Sequence, residues 1–169
     1  MNNISDNIRQ RAARIRVMIF DVDGVMTDGK LYLGAYDAEI KAVHVHDGLG
    51  LKRLQAAGIT AAAISGRPSA AIAARLRDLG VEYLYFDSRD KELDFEALLA
   101  ELGLTPEQAG CMGDDLPDLP IMRRAGLALA VPNAVADVRA AAHWISTAAG
   151  GEGAVREACE LLIAAHNAH

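Results

Sequence analysis

Acidic, basic and hydroxyl side chains follow four apolar segments of this sequence, each close to the point where the segment ends. Asp21 and Asp23 come after Val17–Phe20, and Lys91 comes shortly after Tyr83–Phe86. The other two segments lead into Ser65-Gly66-Arg67-Pro68 and Gly113-Asp114-Asp115-Leu116-Pro117-Asp118. Gathered in one place, such a set supplies a carboxylate nucleophile, a proton donor and groups that bind an anion.

A cluster of carboxylates at one site requires a cation. Two like charges about 4 Å apart repel by about 4 kcal/mol at an effective dielectric constant near 20. Asp21, Asp23, Asp114 and Asp115 therefore need a proton or a bound cation if they converge. Oxygen ligands without His or Cys favour a hard ion, and Mg²⁺ that keeps several waters fits best. The pattern predicts Mg²⁺ as the cofactor.

The same residues suit the transfer of a phosphoryl group. Asp21 needs no activating base near pH 7, because the reference pKa of Asp is about 3.9. Asp23, two residues later, can protonate the leaving alcohol and then activate water. Lys91 and the backbone N–H groups after Ser65, at Gly66, can hold the remaining phosphate oxygens.

Each motif alone also fits a purely structural role. Asp-x-Asp is common in turns and at helix N-termini, Ser65-Gly66 fits a plain strand-to-helix turn, and Lys91 fits the first exposed residue of a helix. The four motifs in order, each after an apolar strand, are far more specific than any one of them.

The elements that must position these residues are short apolar strands that alternate with amphipathic helices. Strands are predicted at 17–20, 59–64, 83–86, 110–112, 127–131 and 143–145. Helices are predicted at 48–57, 70–79, 91–102, 116–125, 135–142 and 154–165, with a short amphipathic helix near the N-terminus. This alternation predicts an α/β, Rossmann-like three-layer sandwich with a central parallel sheet. Ligands of such sheets bind at the carboxyl ends of the strands.

One segment departs from the alternation. Residues 30–45 predict a projecting β-hairpin that turns at Gly34–Glu39 and carries apolar residues at near-alternating positions: Leu31, Leu33, Ile40, Val43 and Val45. Residues 150–169 begin with Gly150-Gly151-Glu152-Gly153, which we interpret as a hinge to a mobile tail. We expect a single domain over 1–169.

Bulk properties exclude several classes of function. The formal charge of −6 argues against a nucleic-acid or anionic-membrane binder. No run approaches the roughly 18 apolar residues of a membrane span, and the N-terminal segment lacks the apolar stretch of a signal peptide. Cys111 and Cys159 lie in apolar contexts that predict reduced core residues. We therefore expect a cytoplasmic protein.

The four motifs resemble those of haloacid dehalogenase superfamily phosphatases, in the expected order and over about residues 17–150. The resemblance implies that Asp21 forms an aspartyl-phosphate and that Asp23 is the acid/base. It also implies that Asp21, the backbone carbonyl of Asp23 and Asp114 hold Mg²⁺, and that Ser65, Gly66 and Lys91 bind the phosphoryl group. Asp115 and Asp118 are implied to be supporting acids.

Neither usual position for a cap domain leaves room for one, so the chain is similar to capless members. Among these it resembles the phosphatases of 3-deoxy-D-manno-octulosonate 8-phosphate (KDO 8-phosphate), which act in making the inner-core sugar KDO of bacterial lipopolysaccharide. The resemblance implies a homotetramer in which hairpins of neighbouring subunits supply the missing cap. It implies a sugar phosphate as the partner molecule, contacted by His44, Val45, His46, Asp47, Gly48, Lys52, Arg67, Arg75 and Lys91.

Two positions depart from the pattern of these phosphatases. His46 stands where an arginine is often found, and Lys52 stands where an arginine would bind a carboxylate bidentately, which lysine does not do. A role for His44 and His46 as surface or hairpin-packing residues is the alternative to substrate contact. Two other functions stay open: a phosphatase for another keto-acid sugar phosphate, such as a nine-carbon one, and a non-catalytic phosphatase-like interaction module.

Overall fold

A six-stranded, entirely parallel sheet forms the centre of the protein. The structure is a computed structural model that describes residues 4–35 and 39–168. The strand order is β5-β4-β1-β6-β7-β8. The strands are β1 (Val17–Phe20), β4 (Thr60–Ile64), β5 (Tyr83–Tyr85), β6 (Ala109–Gly113), β7 (Leu127–Ala130) and β8 (Trp144–Ile145). The order places β1, which leads into Asp21, between β4 and β6.

Helices cover the sheet. They are α1 (Asp6–Ala12), α2 (Val45–Ala56), α3 (Ala70–Asp78), α4 (Lys91–Leu102), α5 (Leu119–Arg124), α6 (Ala136–Ala141) and α7 (Ala154–Asn167). Helices α1 and α2 both pack against α7, while α5 packs against α4 and α6. The predicted three-layer α/β sandwich is confirmed.

The central strands are buried along their whole length. All four residues of β1, from Val17 to Phe20, are buried, as are those of β6 and β7. Helices pack on both faces of a parallel sheet, so both sides of each central strand are buried and the strand needs a continuous apolar run. The largest buried side chains include Phe20 and Phe95, and small Ala residues fill much of the remaining sheet surface, at Ala61–Ala63, Ala128 and Ala130.

Two helices begin three residues away from their predicted starts. Helix α2 begins three residues early, at Val45, because Nδ1 of His44 accepts a hydrogen bond from the backbone N–H of His46 (3.2 Å) and caps the helix. The helix predicted over 116–125 is instead a 3₁₀ turn at Leu116–Asp118 followed by α5. Pro120 lacks the N–H that a continuous α-helix through this segment would need.

A short antiparallel hairpin lies between β1 and α2, formed by β2 (Tyr32–Leu33) and β3 (Glu39–Ile40). Residues 36–38 of the predicted turn lie outside the described residues. The hairpin leaves most of its apolar side chains exposed, and Leu33 is 77% exposed.

The C-terminal segment is part of the core, which corrects the interpretation as a loose tail. Helix α7 covers 154–167, and eight of its residues are buried. Gly150 packs so closely that a Cβ there would lie 1.8 Å from the carbonyl oxygen of Gly24. The glycines permit this close packing of two backbones, rather than a hinge. Residue 169 lies outside the described residues.

None of the helices in the described part of the chain is long and apolar enough to cross a membrane. Cys111 and Cys159 are free and buried, in β6 and α7 respectively.

Candidate active site

A pocket of about 330 Å³ opens at the carboxyl ends of the central strands. Asp21 follows β1, Ser65 follows β4 and Asp114 follows β6, so the parallel strands bring three distant segments to one edge. Lys91, the first residue of α4, reaches the same place. The pocket is lined by Asp21, Asp23, Gly29, Leu31, Ser65, Gly66, Arg67, Lys91, Asp114, Asp115, Pro117 and Asp118.

The ammonium group of Lys91 joins two buried carboxylates. Its Nζ lies 2.5 Å from Oδ1 of Asp21 and 2.6 Å from Oδ1 of Asp118. Asp90 caps α4 by accepting hydrogen bonds from the two N–H groups that follow Lys91. The side chain of a first-turn residue points back toward the helix N-terminus, which aims Lys91 into the pocket.

Burial and charge shift the pKa values of this pair. Burial, followed by the nearby charge of Asp118, raises the pKa of Asp21 to about 6, although Lys91 lowers it in part. Burial by itself lowers the pKa of Lys91. The charges of Asp21 and Asp118 outweigh this effect and raise the pKa above its ordinary value. Lys91 thus remains cationic and available to an anion.

Asp118 lies at the centre of the site, although the sequence predicts only a supporting role. Its side chain is buried, and its Oδ2 accepts hydrogen bonds from the backbone N–H groups of Asp114 (2.9 Å) and Asp115 (3.3 Å). These bonds fix the loop that carries Asp114. Asp115 is exposed at the rim and caps the following turn through a hydrogen bond from the N–H of Leu116.

Three carboxylates form a group suited to a metal ion. One oxygen each from Asp21, Asp114 and Asp118 lies within 4.8 Å of the others. Burial, followed by the charges of Asp21, Asp118 and Asp115, raises the pKa of Asp114 to about 8. Such uncompensated negative charge is what a divalent cation neutralises, and a donor set made only of oxygen suits Mg²⁺. The residues therefore fit the predicted metal.

The backbone conformation at Gly24 makes room for this group. Gly24 has φ +95°, and a Cβ there would lie 2.0 Å from Oδ2 of Asp114. Only glycine permits both the positive φ and the close approach. Asp23 contributes no side-chain oxygen to the three-carboxylate group, and its predicted metal contact is through the backbone carbonyl.

The side chain of Asp23 is contacted by a charged residue of the hairpin, Lys41, which is not predicted from the sequence. Nζ of Lys41 lies 2.7 Å from Oδ1 of Asp23 and 3.0 Å from Oε1 of Glu39. Arg67 binds Oε2 of Glu39 at 2.8 Å and lies 3.9 Å from Oδ2 of Asp23. The spacing of charges in a hairpin does not reveal which of them turn inward, so the sequence offered no signal for Lys41.

Ser65 and Gly66 form a turn at the pocket floor. Ser65 is buried, and its Oγ accepts a hydrogen bond from the N–H of Arg67 (3.3 Å). The chain is thereby turned so that Ser65, Gly66 and Arg67 all line the pocket. A hydroxyl and exposed backbone at this point can bind an anion.

Two further residues brace the loop after Asp21. Oγ1 of Thr27 accepts hydrogen bonds from the N–H groups of Gly24 and Gly29, both at 3.2 Å. Asn133 donates to the carbonyl of Gly24 (3.0 Å) and accepts from the N–H of Gly150 (2.8 Å). Asn133 follows the next strand along the sheet, β7. A polar residue after this fifth strand end was the signal in the sequence that could have identified it.

The residues predicted to contact a sugar do not all lie in this pocket. Arg67 and Lys91 line it, but four others line a separate cavity of about 20 Å³ beside α2 and α3: His44, Asp47, Gly48 and Arg75. Asp47 is buried there and accepts a hydrogen bond from the N–H of Arg156 at 2.8 Å. Burial raises the Asp47 pKa.

Val45, His46 and Lys52 are exposed on α2 and are not among the residues that line either pocket. The rings of His44 and His46 pack edge to face, with centroids 4.7 Å apart. One chain therefore does not bring these three side chains to the catalytic pocket.

Known proteins are similar to this chain in both sequence and fold. The family of haloacid dehalogenase-like hydrolases matches residues 83–157. The 3-deoxy-D-manno-octulosonate 8-phosphate phosphatase KdsC of Yersinia pestis is 42% identical over 97% of this chain and 88% of its own length.

Solved structures agree with the sequence matches. A probable YrbI family phosphatase of Pseudomonas syringae is 49% identical with a TM-score of 0.94, over 96% of this chain and 92% of that one. The 3-deoxy-D-manno-octulosonate 8-phosphate phosphatase of Moraxella catarrhalis, solved with magnesium, phosphate and KDO, is 40% identical with a TM-score of 0.94, over 97% and 94%. This chain belongs to the haloacid dehalogenase-like hydrolases and, among them, to the 3-deoxy-D-manno-octulosonate 8-phosphate phosphatase family.

Proposed function

We propose that the protein hydrolyses 3-deoxy-D-manno-octulosonate 8-phosphate to KDO and phosphate, with Mg²⁺ as its cofactor. The observation that carries the proposal is the pocket in which Asp21 and Asp118 share the ammonium of Lys91 beside Asp114. The pocket thus brings together a carboxylate that can act as nucleophile, a group of carboxylates suited to a metal ion, and the ammonium of Lys91. The family membership supports the choice of substrate.

In the first half of the reaction, an Asp21 oxygen attacks phosphorus and forms the aspartyl-phosphate. The bond from phosphorus to the sugar oxygen breaks, and its electron pair stays on that oxygen. Protonated Asp23 gives its proton to the same oxygen, so the sugar leaves with a hydroxyl group at that position and Asp23 becomes a carboxylate. Lys91, Ser65 and the N–H of Gly66 bind the phosphoryl oxygens during the transfer.

In the second half, Asp23 takes a proton from a water molecule while the water oxygen attacks phosphorus. The acyl-phosphate bond breaks, Asp21 regains its carboxylate, and inorganic phosphate is released. Asp23 is then protonated again and ready for the next substrate.

Asp21, Asp114 and the backbone carbonyl of Asp23 are the proposed holders of Mg²⁺, and the buried position of Asp118 supports a place beside them. When bound, the ion neutralises the carboxylates and stabilises charge on the transferring phosphoryl group. Without it, the cluster repels a phosphate dianion.

We also propose a closed homo-oligomer, most simply a tetramer, in which hairpins from neighbouring copies cover the open pocket. A two-stranded hairpin is not stable alone in water, and a contiguous apolar patch usually marks an interface. The patch consists of Leu31, Tyr32, Leu33, Ile40, Val43 and Val45, all of them exposed. An oligomer also offers a way for His46, which one chain leaves outside its own pocket, to contact a substrate.

The proposed place of the reaction is the cytoplasm, where the product serves the lipopolysaccharide inner core. The two free, buried thiols support a reducing compartment.

A substrate panel tests the proposal. The purified protein is assayed by phosphate release with KDO 8-phosphate, a nine-carbon keto-acid sugar 9-phosphate and p-nitrophenyl phosphate, each with Mg²⁺ and with excess EDTA. We expect kcat/KM to be highest for KDO 8-phosphate, by at least about tenfold, because a methylene or hydroxyl misplaced in a fitted site costs about that much. Preference for the nine-carbon sugar would reassign the substrate. Absence of hydrolysis of all three esters would indicate a non-catalytic module.

A further inference from the structure

One lysine of the hairpin is withdrawn from solvent and directed at the proposed acid/base. The side chain of Lys41 is only 3% exposed, and its Nζ lies 2.7 Å from Oδ1 of Asp23. Lys41 is not among the residues that line the catalytic pocket. Its ammonium therefore contacts the proposed acid/base from outside the set of residues that line the pocket.

Two acidic and two basic side chains alternate around this point: Asp23 and Glu39, with Lys41 and Arg67 between and beside them. Arg67 is about half exposed and lies 3.9 Å from Asp23, so water weakens its attraction. Lys41 is closer and nearly dry, which makes it the principal cation of Asp23. Glu39 contacts both cations, at 3.0 Å and 2.8 Å, and ties them together.

The contact between Lys41 and Asp23 leaves the carboxyl group free to react. Among the described residues, neither Oδ1 nor Oδ2 of Asp23 has a hydrogen-bond partner, and neither has Nζ of Lys41. The two groups thus lie in contact, with Nζ 2.7 Å from Oδ1, but lack the alignment of a hydrogen bond. Such an arrangement restrains the position of the carboxyl group without occupying the lone pair or proton that catalysis uses.

We propose that Lys41 is a positioning residue that holds the side chain of Asp23 in place for proton transfer to the leaving group, and that it couples the hairpin to this step. The inference rests on the proposed function, since it assigns Asp23 as the acid. Lys41 touches neither the substrate nor the reacting phosphorus and acts only through Asp23.

The nature of the leaving group separates this role from a structural one. An alkoxide leaves poorly and needs the proton of Asp23, whereas p-nitrophenolate leaves readily as an anion. Misplacing the acid should therefore slow an alkyl ester far more than an aryl ester. A loss of folding or of the metal site would slow both equally.

The experiment compares benzyl phosphate with p-nitrophenyl phosphate, two esters of similar size, under single-turnover conditions with Mg²⁺. For Lys41→Met we expect the rate on benzyl phosphate to fall about 30-fold, which is part of the roughly 100-fold or more that general acid catalysis contributes, and the rate on p-nitrophenyl phosphate to fall less than about threefold. Lys30→Met is the matched control, because Lys30 lies at the base of the same hairpin with a side chain 70% exposed. It should leave both rates unchanged.

A double-mutant cycle tests whether Lys41 acts through Asp23. In an Asp23→Asn background, Lys41→Met should cost less than about threefold on benzyl phosphate, because the group it positions is already gone. A further loss of about 30-fold in that background would overturn the proposal, and so would equal losses on the two esters in the single variant. If Lys41→Met lacks the wild-type circular dichroism spectrum, Lys41→Gln supplies the same comparison.

Failure of the inference is distinguishable from failure of the proposed function. A wild-type protein that hydrolyses neither ester with Mg²⁺ refutes the phosphatase assignment itself. A wild-type protein that hydrolyses both, with a Lys41→Met variant that loses neither or loses both alike, refutes only the role of Lys41.

Discussion

The catalytic pocket and the hairpin differ in how complete they are within one chain. In the pocket, buried charges have partners in the same chain: Lys91 has Asp21 and Asp118, and Asp118 also has two backbone N–H groups. In the hairpin, apolar side chains such as Leu33 face outward. The groups proposed for the chemistry thus find their partners within one chain, whereas the apolar side chains of the hairpin are left uncovered.

This difference follows from the physical forces involved. A cluster of acids must be neutralised wherever it is buried, so its partners fold together with it. An apolar patch tolerates exposure until another surface covers it. Changes in the pocket should therefore destroy all phosphatase activity, and changes in the hairpin should alter selectivity and assembly.

The largest expected effect comes from Asp21→Asn. An amide keeps the shape of the carboxylate but is a far poorer nucleophile, so kcat should fall by more than about 100-fold on every ester, or at least about 2.7 kcal/mol of barrier. Phosphate release and circular dichroism would be measured together, in protein checked by mass spectrometry for deamidation. A folded variant that keeps more than a hundredth of the wild-type kcat would remove Asp21 from the nucleophile role.

A second large effect concerns Mg²⁺ and pH. The pKa of Asp114 is raised to about 8 and that of Asp21 to about 6 without metal, so these groups hold protons that Mg²⁺ must displace. Mg²⁺ affinity should therefore rise between pH 6 and pH 8, by at least about tenfold, and level off above the higher pKa. Calorimetric titration in two buffers of different ionisation enthalpy would also measure the proton release. Affinity that stays flat across this range would mean that the carboxylates are already ionised.

The hairpin provides the opposite kind of test. Replacing both Leu33 and Ile40 by Asp, two exposed hairpin residues that do not line the catalytic pocket, should dissociate the proposed oligomer, because charges in an apolar interface cost more than the contacts return. The selectivity for a sugar phosphate over p-nitrophenyl phosphate should fall about tenfold, while the activity on the generic ester is largely kept. Sedimentation velocity and kcat/KM would be measured on the same samples. A wild-type protein that is monomeric at micromolar concentration and fully selective would contradict this division of roles.

The smallest expected effect is that of His46→Ala. If His46 contacts the sugar or its carboxylate, kcat/KM for the acid-sugar phosphate should fall roughly three- to tenfold, the value of one or two lost hydrogen bonds. The kcat/KM for p-nitrophenyl phosphate should barely change. Lys52→Ala provides a companion variant at another exposed position of the same helix. Equal losses on both substrates would show that His46 acts through folding or through the metal site.

Much of the architecture could be read from the sequence because it depends on local patterns. The continuous apolar run Val17–Phe20 predicted β1, and Lys91–Leu102 predicted α4 with the observed ends. The convergence of Asp21, Ser65, Lys91 and Asp114 follows from parallel strands alone, since the carboxyl ends of such strands share one edge.

The roles of Asp118 and Lys41 depended on the tertiary structure. Asp118 looked peripheral because its neighbours Leu116 and Pro117 are typical of a capping loop, yet the fold turns its carboxylate under Lys91. Lys41 reads as one polar residue of a hairpin, and only the folding of the hairpin against the sheet brings it to Asp23. The C-terminal glycines are a third example, because their close packing on Gly24 involves two segments more than 100 residues apart.

The sequence by itself therefore determined the order of the elements, the edge of the sheet where chemistry occurs and the residue types gathered there. The apolar pattern that predicts each element lies in residues close together in the chain, and the alternation of strands with helices predicts that the strands are parallel. The tertiary structure alone decided which charges are buried together, because burial and pairing depend on contacts between distant segments. Those contacts are what shift the pKa values of Asp21 and Asp114 and bring Lys41 to Asp23.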